Sequence, residues 1–543
     1  MKQLFRMIVL FILVFTFGNT VFAKLPAEPK TFKESLYVRE DNVFWKTNEE
    51  GTHIYAFSGN DFETWDIPGK CHELTSSQYD VLAFMEDGSC QVWNRMTGEK
   101  SVIPADKDFR KVLPDTADLY YARNGFRVYY DVADSAEIAG NPWQMSYRYY
   151  IVTLEGTVTD LGMLDSIFSV QDTQKSPCLW VGDQSGVRQL TSTGEELQTI
   201  AAEAATEYIY LMDVSAENSF AVWDEVNGTN HSLFIWNGST KISVEQYADD
   251  DKAYFSWAYS CDRGKKVILY HSSGEQIFIY DVDTDSITPV TFPMNQRPNL
   301  MPVFAPAYVY SADMPWSDFY MFGEDPDYFR RSIIHIYPDG NAEMLVDKTD
   351  QWDWSLCDDS IYYTFNDCLY RAPRMNTADS EPELISSKAY LDGVLTPEGN
   401  ALYYIEDYSH ESETGTLNVY WADTHTSEEI DTGQKGFLFY PLINGESVLY
   451  QKNSTSLSLD DPSLKKSDLY LYSRGGSPQQ IATDVLELLN VYTAPHAINP
   501  VYISDNGFYY TTLNEKRADG QIVRNICFYD GRNSSVIIKG VTK

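Results

Sequence analysis

Positive charge is scarce in this chain. Lys and Arg number 41 against 79 Asp and Glu, giving a formal net charge of -38. So acidic a surface repels phosphate backbones, and no basic cluster offsets it, which argues against nucleic acid as a partner. Cations or a basic protein fit the charge, and so does simple solubility. Histidine is also scarce. The 8 present are scattered, with no pair at metal-ligand spacing. Neither H-E-x-x-H nor the G-x-S-x-G elbow occurs, so a zinc protease site and an α/β-hydrolase domain are not expected. Asp281, Asp283 and Asp285 imitate the start of a calcium loop. Ser286 stands where that loop needs Gly, and no Glu closes it, so the run reads as a turn. Asp249 to Asp251 is no stronger a candidate. No catalytic set, metal site or cofactor is expected.

Cysteine supplies little. The 7 residues form no C-x-x-C and no Cys/His cluster at zinc spacing. Cys71 with Cys90, or Cys357 with Cys368, are close enough in sequence to bridge, and the odd count leaves at least one thiol free.

Long apolar runs are missing beyond the first twenty residues. Lys2 and Arg6 precede an apolar stretch from Met7 to Phe17, and Val21-Phe22-Ala23 fits a signal-peptidase site. Cleavage after Ala23 is expected, the alternative being an uncleaved anchor. The stretch is short for a bilayer span, and no cysteine near it offers a lipid anchor. The mature chain is then exported, periplasmic or extracellular, with no membrane insertion after cleavage. Residues 24–33 read as a linker. Residues 34–293 and 294–543 read as an N-terminal and a C-terminal propeller region.

Helical periodicity is nearly absent, the longest helix-like run being a weak one from Glu195 to Glu207. Strand-turn-strand patterns recur instead. From Tyr254 to Phe292 four short strands alternate with three polar turns, and about 40 residues is the size of one propeller blade. Its third strand, Ile277-Phe278-Ile279-Tyr280, is apolar at consecutive positions, so both faces are buried. Blades stacked around a ring have that property. Aligning on this third strand finds further copies from His53–Phe57 and Gln91–Trp93 through Leu469–Tyr472 to Ile526–Tyr529, about eleven units in all. The fold class is therefore all-β, a β-propeller of four-stranded units. Ordinary rings hold roughly four to eight blades, so two tandem rings are expected. One large ring of about eight blades with insertions is the alternative.

The Tyr254–Phe292 copy resembles the TolB-like propeller repeat, a WD-related repeat of exported bacterial proteins. Ser260-Cys261-Asp262-Arg263-Gly264-Lys265-Lys266 and Ile279-Tyr280-Asp281-Val282-Asp283, with Thr288-Pro289 nearby, carry the resemblance. Cys261 departs from it where Pro is usual, and Arg263 is an extra turn residue. The resemblance implies a fold, and such repeats serve binding proteins and enzymes alike.

Unit length varies mainly between second and third strands. Insertions run over Ala133–Met145, Asp313–Arg330, Ser409–Gly415, Asn453–Lys466 and Asn514–Gln521, with a smaller one over Glu225–His231. These connections leave an up-and-down blade on one face, where long loops should gather and carry a ligand site. Simple tolerance of surface insertions is the bland alternative. Trp143 and Tyr147, then Trp316, Asp318 and Tyr320, then Trp352 and Trp354 are the candidate ligand-binding residues. Aromatic rings flanked by carboxylates stack on a sugar or grip a protein, or else fold back to pack their own loop. The expectation is a non-catalytic recognition or scaffolding protein for a glycan or protein ligand. The alternative is an enzyme at the central channel, such as a polysaccharide lyase or cyclase, which needs cations converging there.

Overall fold

The computed structural model describes residues 37–38, 42–58, 61–138, 141–170, 178–203, 206–214, 220–228, 230–244, 255–261, 265–271, 276–293, 297–298, 320–325, 330–349, 354–356, 360–373, 381–390, 394–396, 400–412, 414–435, 439–442, 444–457, 464–489, 491–493, 501–503, 507–518 and 520–543. The expected signal segment and linker lie outside them, as do Cys357, Trp316, Asp318, Trp352 and Asp249 to Asp251. Among the described residues no helix is long and apolar enough to cross a membrane.

The protein is an all-β, multi-blade propeller. Among the described residues its strands follow a four-beat pattern of eleven units in chain order. Eight units are separate antiparallel four-stranded sheets whose strands lie in sequence order. Every third strand anticipated from the sequence falls in the third position of its unit. The Tyr254–Phe292 copy, unit six, forms Phe255–Cys261, Lys266–His271, Ile277–Asp281 and Ser286–Pro289. Asp281 works as a turn residue: it accepts the Thr284 backbone N–H at 3.0 Å and the Lys266 ammonium at 2.6 Å. The weakly helix-like run after Glu195 is instead an outer strand, Glu196–Ala201.

The two ends of the chain depart from the simple pattern. In unit one, Val43–Asn48, Gly51–Ser58 and Asp61–Ile67 make a three-stranded sheet, while Tyr37–Val38 pairs with Val491–Thr493 beside Val501–Ile503. Units ten and eleven share a seven-stranded sheet, because Gln479–Leu488 pairs antiparallel with Phe508–Lys516.

Apolar clusters lie between units, not within them. Ile268, Tyr270, Ile277 and Ile279 of unit six pack on Ile334 and Ile336 of unit seven. Each cluster among the described residues joins units adjacent in chain order. A final one joins Ile526 and Val541 of unit eleven to Phe44 and Phe57 of unit one. There Trp45 and Thr542 exchange two backbone hydrogen bonds of 2.9 Å. Burial on both faces explains why the strands read as continuous apolar runs.

The insertions lengthen the flanking strands: in unit three these take up nearly the whole of it, while in units nine, ten and eleven part of each span remains between the strands. In unit three they extend Phe126–Ile138 and Asn141–Thr153 to 13 residues each. Similar long hairpins form from Ala401–Ser409 with Thr414–Trp421 and from Ser447–Ser456 with Lys465–Ser473. Register breaks in the second strand mark where each leaves the ring: Asp131/Ser135, Glu406/Ser409, Lys452/Thr455 and Leu513/Glu515. A bulge adds local twist and re-aims the residues beyond it. Cys71 and Cys90 remain thiols. Their strands, Cys71–Ser76 and Cys90–Asn94, flank Asp80–Met85, which holds them a strand apart.

Candidate functional site

First strands of successive units meet in part of the chain: Ser166–Val170 touches Tyr208–Val214, which touches Phe255–Cys261, and Trp354–Leu356 touches Val394–Leu395. On the side where the unit-three hairpin is extended, units three and five bring tyrosines together.

Unit three supplies most of them. Tyr130 pairs with Tyr149 across the hairpin, and beyond the bulge Ser135 pairs with Tyr147. Period-two alternation puts all three rings on one face. Tyr130 and Tyr147 meet edge to face at 5.2 Å and 88°. Tyr120 meets Tyr130 at 5.9 Å and Tyr149 at 5.6 Å, again nearly perpendicular. Opposite signs at ring face and ring edge favour this packing. Tyr120 comes from the first strand, Ala117–Arg123. Val128 pairs with Tyr121 and Tyr129 with Leu119, so Tyr120 is the extra, unpaired residue of a bulge. The bulge turns its ring outward, leaving it 48% exposed. Unit five contributes Tyr208, buried, and Tyr210, 42% exposed, from its first strand Tyr208–Val214.

Asp165 ties the site together from the link between units three and four. Its carboxylate accepts the Ser146 hydroxyl at 2.8 Å and the Ile209 backbone N–H at 3.2 Å. One acid thus anchors the unit-three hairpin to the first strand of unit five. Next to it, the Ser166 hydroxyl donates to the Ile209 carbonyl at 2.9 Å and accepts from the Leu211 N–H at 3.1 Å. That close approach needs Gly182: a Cβ there would sit 2.7 Å from both the Ser166 hydroxyl and the Ile209 side chain.

The electrostatics favour the neutral, protonated forms of the acid and the phenols. Burial pushes the Asp165 carboxyl up, and Asp183 adds to the effect. Burial, then Tyr210 and Tyr130, raises the Tyr120 phenol. Burial also raises Tyr149 and Tyr208, with neighbouring tyrosines and, for Tyr208, Asp165 and Asp224 contributing. No cation is among the groups acting on these three phenols. The hydroxyls therefore stay protonated and can donate as well as accept. The arrangement offers flat rings, hydroxyl donors and acceptors, and one fixed carboxylate. It has no nucleophile paired with a base. Among the described residues no group of three His, Cys, Asp or Glu could hold a metal.

A second aromatic pair occurs on the same face in unit nine. Tyr390 stacks on Tyr408 at 4.1 Å and 9°, with His410 edge-on to both at 5.2 and 5.4 Å. Lower on unit three, Arg148 lies in an open cleft of about 430 Å³ with Asp134, Tyr150 and Asp160. Its guanidinium is already matched by both carboxylates, at 3.4 and 2.6 Å.

Of the residues nominated from sequence, Tyr147 lies in the tyrosine cluster. Trp143, Tyr320 and Trp354 sit on strands Asn141–Thr153, Tyr320–Asp325 and Trp354–Leu356, and their side chains are outside the described residues. Tyr120, Tyr130, Tyr208, Tyr210 and Asp165 were not singled out. Their signal was tyrosine density in the first strands, as in Tyr120-Tyr121 and Tyr208-Ile209-Tyr210.

No family model and no curated protein matches the chain. Among solved structures, the tricorn protease aligns over 87% of this chain and 45% of its own, with 12% identity and a TM-score of 0.24. Porphyromonas gingivalis dipeptidyl peptidase 4 aligns over 72% of this chain and 63% of its own, with 9% identity and a TM-score of 0.36. This chain thus spans less than two thirds of either protein. An oligogalacturonate lyase from Vibrio parahaemolyticus aligns over 64% of this chain and 93% of its own, with 10% identity and a TM-score of 0.28. Likeness at this level carries no argument about activity, and the fold rests on the chain's own sheets.

Proposed function

We propose that this chain is an exported, TolB-like propeller protein that recognises a glycan or protein ligand through its hairpin-bearing face. It acts as a recognition or scaffolding module and not as a catalyst. The observation that carries this reading is the half-exposed ring of Tyr120, packed edge-on against Tyr130 and Tyr149, with the half-exposed Tyr210 of unit five among the groups acting on it. Buried aromatics are ordinary propeller core. Large rings left open together on the surface are a feature of ligand sites. The composition of the first strands supports the same reading. Among the described residues their basic side chains are His72, Arg123 and Arg297, one each in units two, three and seven. A lyase or cyclase acting at the channel needs cations converging on one point, and these are spread around the ring.

Export is tested by N-terminal sequencing of the protein released by its host, which should begin at Lys24. Recognition is tested by a glycan array and a pull-down with the mature chain and its Tyr120→Ala and Tyr147→Ala variants. Ligands lost in both variants support the reading. Ligands retained by both, or turnover of a polysaccharide by the wild type, would overturn it.

A further inference from the structure

We propose that the tyrosine face of unit three takes an arginine side chain of a basic polypeptide, its guanidinium lying on the Tyr120 ring and paired with the Asp118 carboxylate. This rests on the tyrosine cluster being the ligand site and adds the class of ligand.

One row of the sheet sets the geometry. Asp118, Tyr130 and Tyr149 pair in register across three strands of unit three, so their side chains share one face. That face is turned to unit four, since Val128, Tyr149 and Ile151 cluster with Leu179 and Val181. Tyr120 follows Asp118 on the same strand and meets both Tyr130 and Tyr149 edge-on. Its ring is fixed by these two neighbours and still 48% exposed, so little ordering is needed when a ligand arrives. Asp118 is exposed and, among the described residues, makes no hydrogen bond or ion pair.

An open ring and an open carboxylate both attract a cation, and one flat cation satisfies both. A guanidinium stacks on a tyrosine face while its N–H groups grip a carboxylate, whereas an ammonium is a hydrated point charge. Two residues of strand span roughly 7 Å, which a single arginine side chain bridges. The protein supplies no such cation itself. Arg127 is held by Asp80, and Arg148 by Asp134 and Asp160. Arg123 stands at the far end of the Asp118 strand, 5.0 Å from the Tyr121 ring. On unit four, Arg188 pairs in register with Val181, but Asp183 holds it at 2.5 Å and its Nε is buried. Its charge is thereby matched, whereas that of Asp118 is not. A neutral glycan would cover the carboxylate without pairing it, which costs free energy. An amino sugar brings its charge as an ammonium and has no planar cation to lie on Tyr120. The net charge of -38 attracts basic proteins over a distance, and Tyr and Arg are both enriched at protein interfaces.

The experiment is calorimetric titration of the mature full-length chain, at about 150 mM salt, with a short Gly/Ser peptide rich in arginine. Its lysine and glutamate counterparts, chitosan oligomers and neutral gluco-oligosaccharides are the comparison probes. The arginine peptide should bind, and about threefold or more tighter than the lysine peptide. Asp118→Asn and Tyr120→Ala should each weaken it about fivefold or more, and Tyr120→Phe by less than about twofold, since the ring face is kept. Glu155, between the third and fourth strands of the same unit, is the control. Glu155→Gln removes one exposed charge and should leave the affinity within about twofold. Arginine binding that Glu155→Gln weakens as much as Asp118→Asn does, or that Asp118→Asn and Tyr120→Ala both retain, overturns the inference, because net charge alone then accounts for it. Equal or tighter binding of the lysine peptide, or binding of the glutamate peptide in preference to both, overturns it as well. Chitosan or gluco-oligosaccharide binding that Tyr120→Ala abolishes, with no arginine binding, overturns it and leaves the cluster as the ligand site. If no probe binds, the inference falls, and the glycan array and pull-down with Tyr120→Ala and Tyr147→Ala decide the ligand site by themselves.

Discussion

Single polar side chains hold neighbouring units together where the apolar clusters stop. Arg127 and Asp80 are 2% and 0% exposed, and they meet at 2.6 Å between units three and two. Arg127 also reaches the Thr75 hydroxyl at 2.6 Å. A charge this buried is tolerated only when matched, so Arg127→Met should cost about 3–5 kcal/mol by stranding Asp80. Urea denaturation of the variant checks this. Glu225 is matched more fully. It accepts from the Glu203 N–H at 2.7 Å, Lys241 at 2.7 Å, the Trp223 indole at 2.9 Å and the Thr206 hydroxyl at 2.9 Å. Burial alone would raise its carboxyl, but these bonds outweigh burial and hold it below the usual glutamate range. The native state therefore binds fewer protons than the unfolded chain between that lowered value and the ordinary one, about 4.3. Glu225 stabilises the fold above this window, and the contribution is lost as pH falls through it. Glu225→Gln should lose about 1–3 kcal/mol at neutral pH and show a flatter decline on acidification. Denaturation midpoints from about pH 6 to about pH 3 test both parts; a variant as acid-sensitive as the wild type would contradict the assignment.

At the scale of the element, the connection between second and third strands decides what each unit presents. Units one and four keep it tight by the same device. Asn48 pairs with Gly51, and Asp183 with Gly186. The Asn48 side chain accepts the Glu50 N–H at 2.8 Å, and the Asp183 side chain accepts the Ser185 N–H at 2.8 Å. Gly51 and Gly186 adopt φ of 141° and 139°, open to glycine and strained for other residues. A Cβ at Gly186 would also meet the Ile200 carbonyl oxygen at 2.2 Å. Gly186→Ala is therefore expected to destabilise by at least ~1–3 kcal/mol, read as a lower thermal midpoint. Where a bulge replaces the tight turn, the strands run on and rise above the ring. Sequence length located these insertions, but whether an insertion coils or extends depends on cross-strand partners. The Tyr130–Tyr149 and Ser135–Tyr147 pairs of unit three supply them.

At the scale of the whole molecule, stability rests on a circuit of interfaces. Each unit buries its faces only against its neighbours, as repeat proteins do. The circuit closes where Val541 and Ile526 meet Phe44 and Phe57, and where Thr542 pairs with Trp45. Deleting residues 540–543 removes Val541 from that cluster and both backbone bonds. The truncated chain should unfold at a lower temperature and, under limited proteolysis, be cut first in units one and eleven. Cleavage beginning elsewhere would show that the seam does not limit stability. A division at 293/294 would separate units six and seven, which share the Ile268 to Ile336 cluster. The two halves expressed apart should accordingly be less stable than the intact chain.

The sequence by itself determined the all-β class, the four-strand beat and the place of every third strand. Burial on both faces of a blade writes continuous apolar runs that are legible without a structure, as in Ile277–Tyr280 and Leu417–Trp421. It also marked the insertions and, just beyond the first of them, Tyr147. Only the tertiary structure decided that Tyr120, Tyr130, Tyr149, Tyr208 and Tyr210 come together. In one dimension their spacing matches that of core tyrosines. What separates an open ring from a buried one is a bulge at residue 120 and an acid, Asp165, that reaches across unit four. The acid's contacts span 19 and 44 residues of chain, and the bulge is a matter of strand register; neither leaves a local pattern.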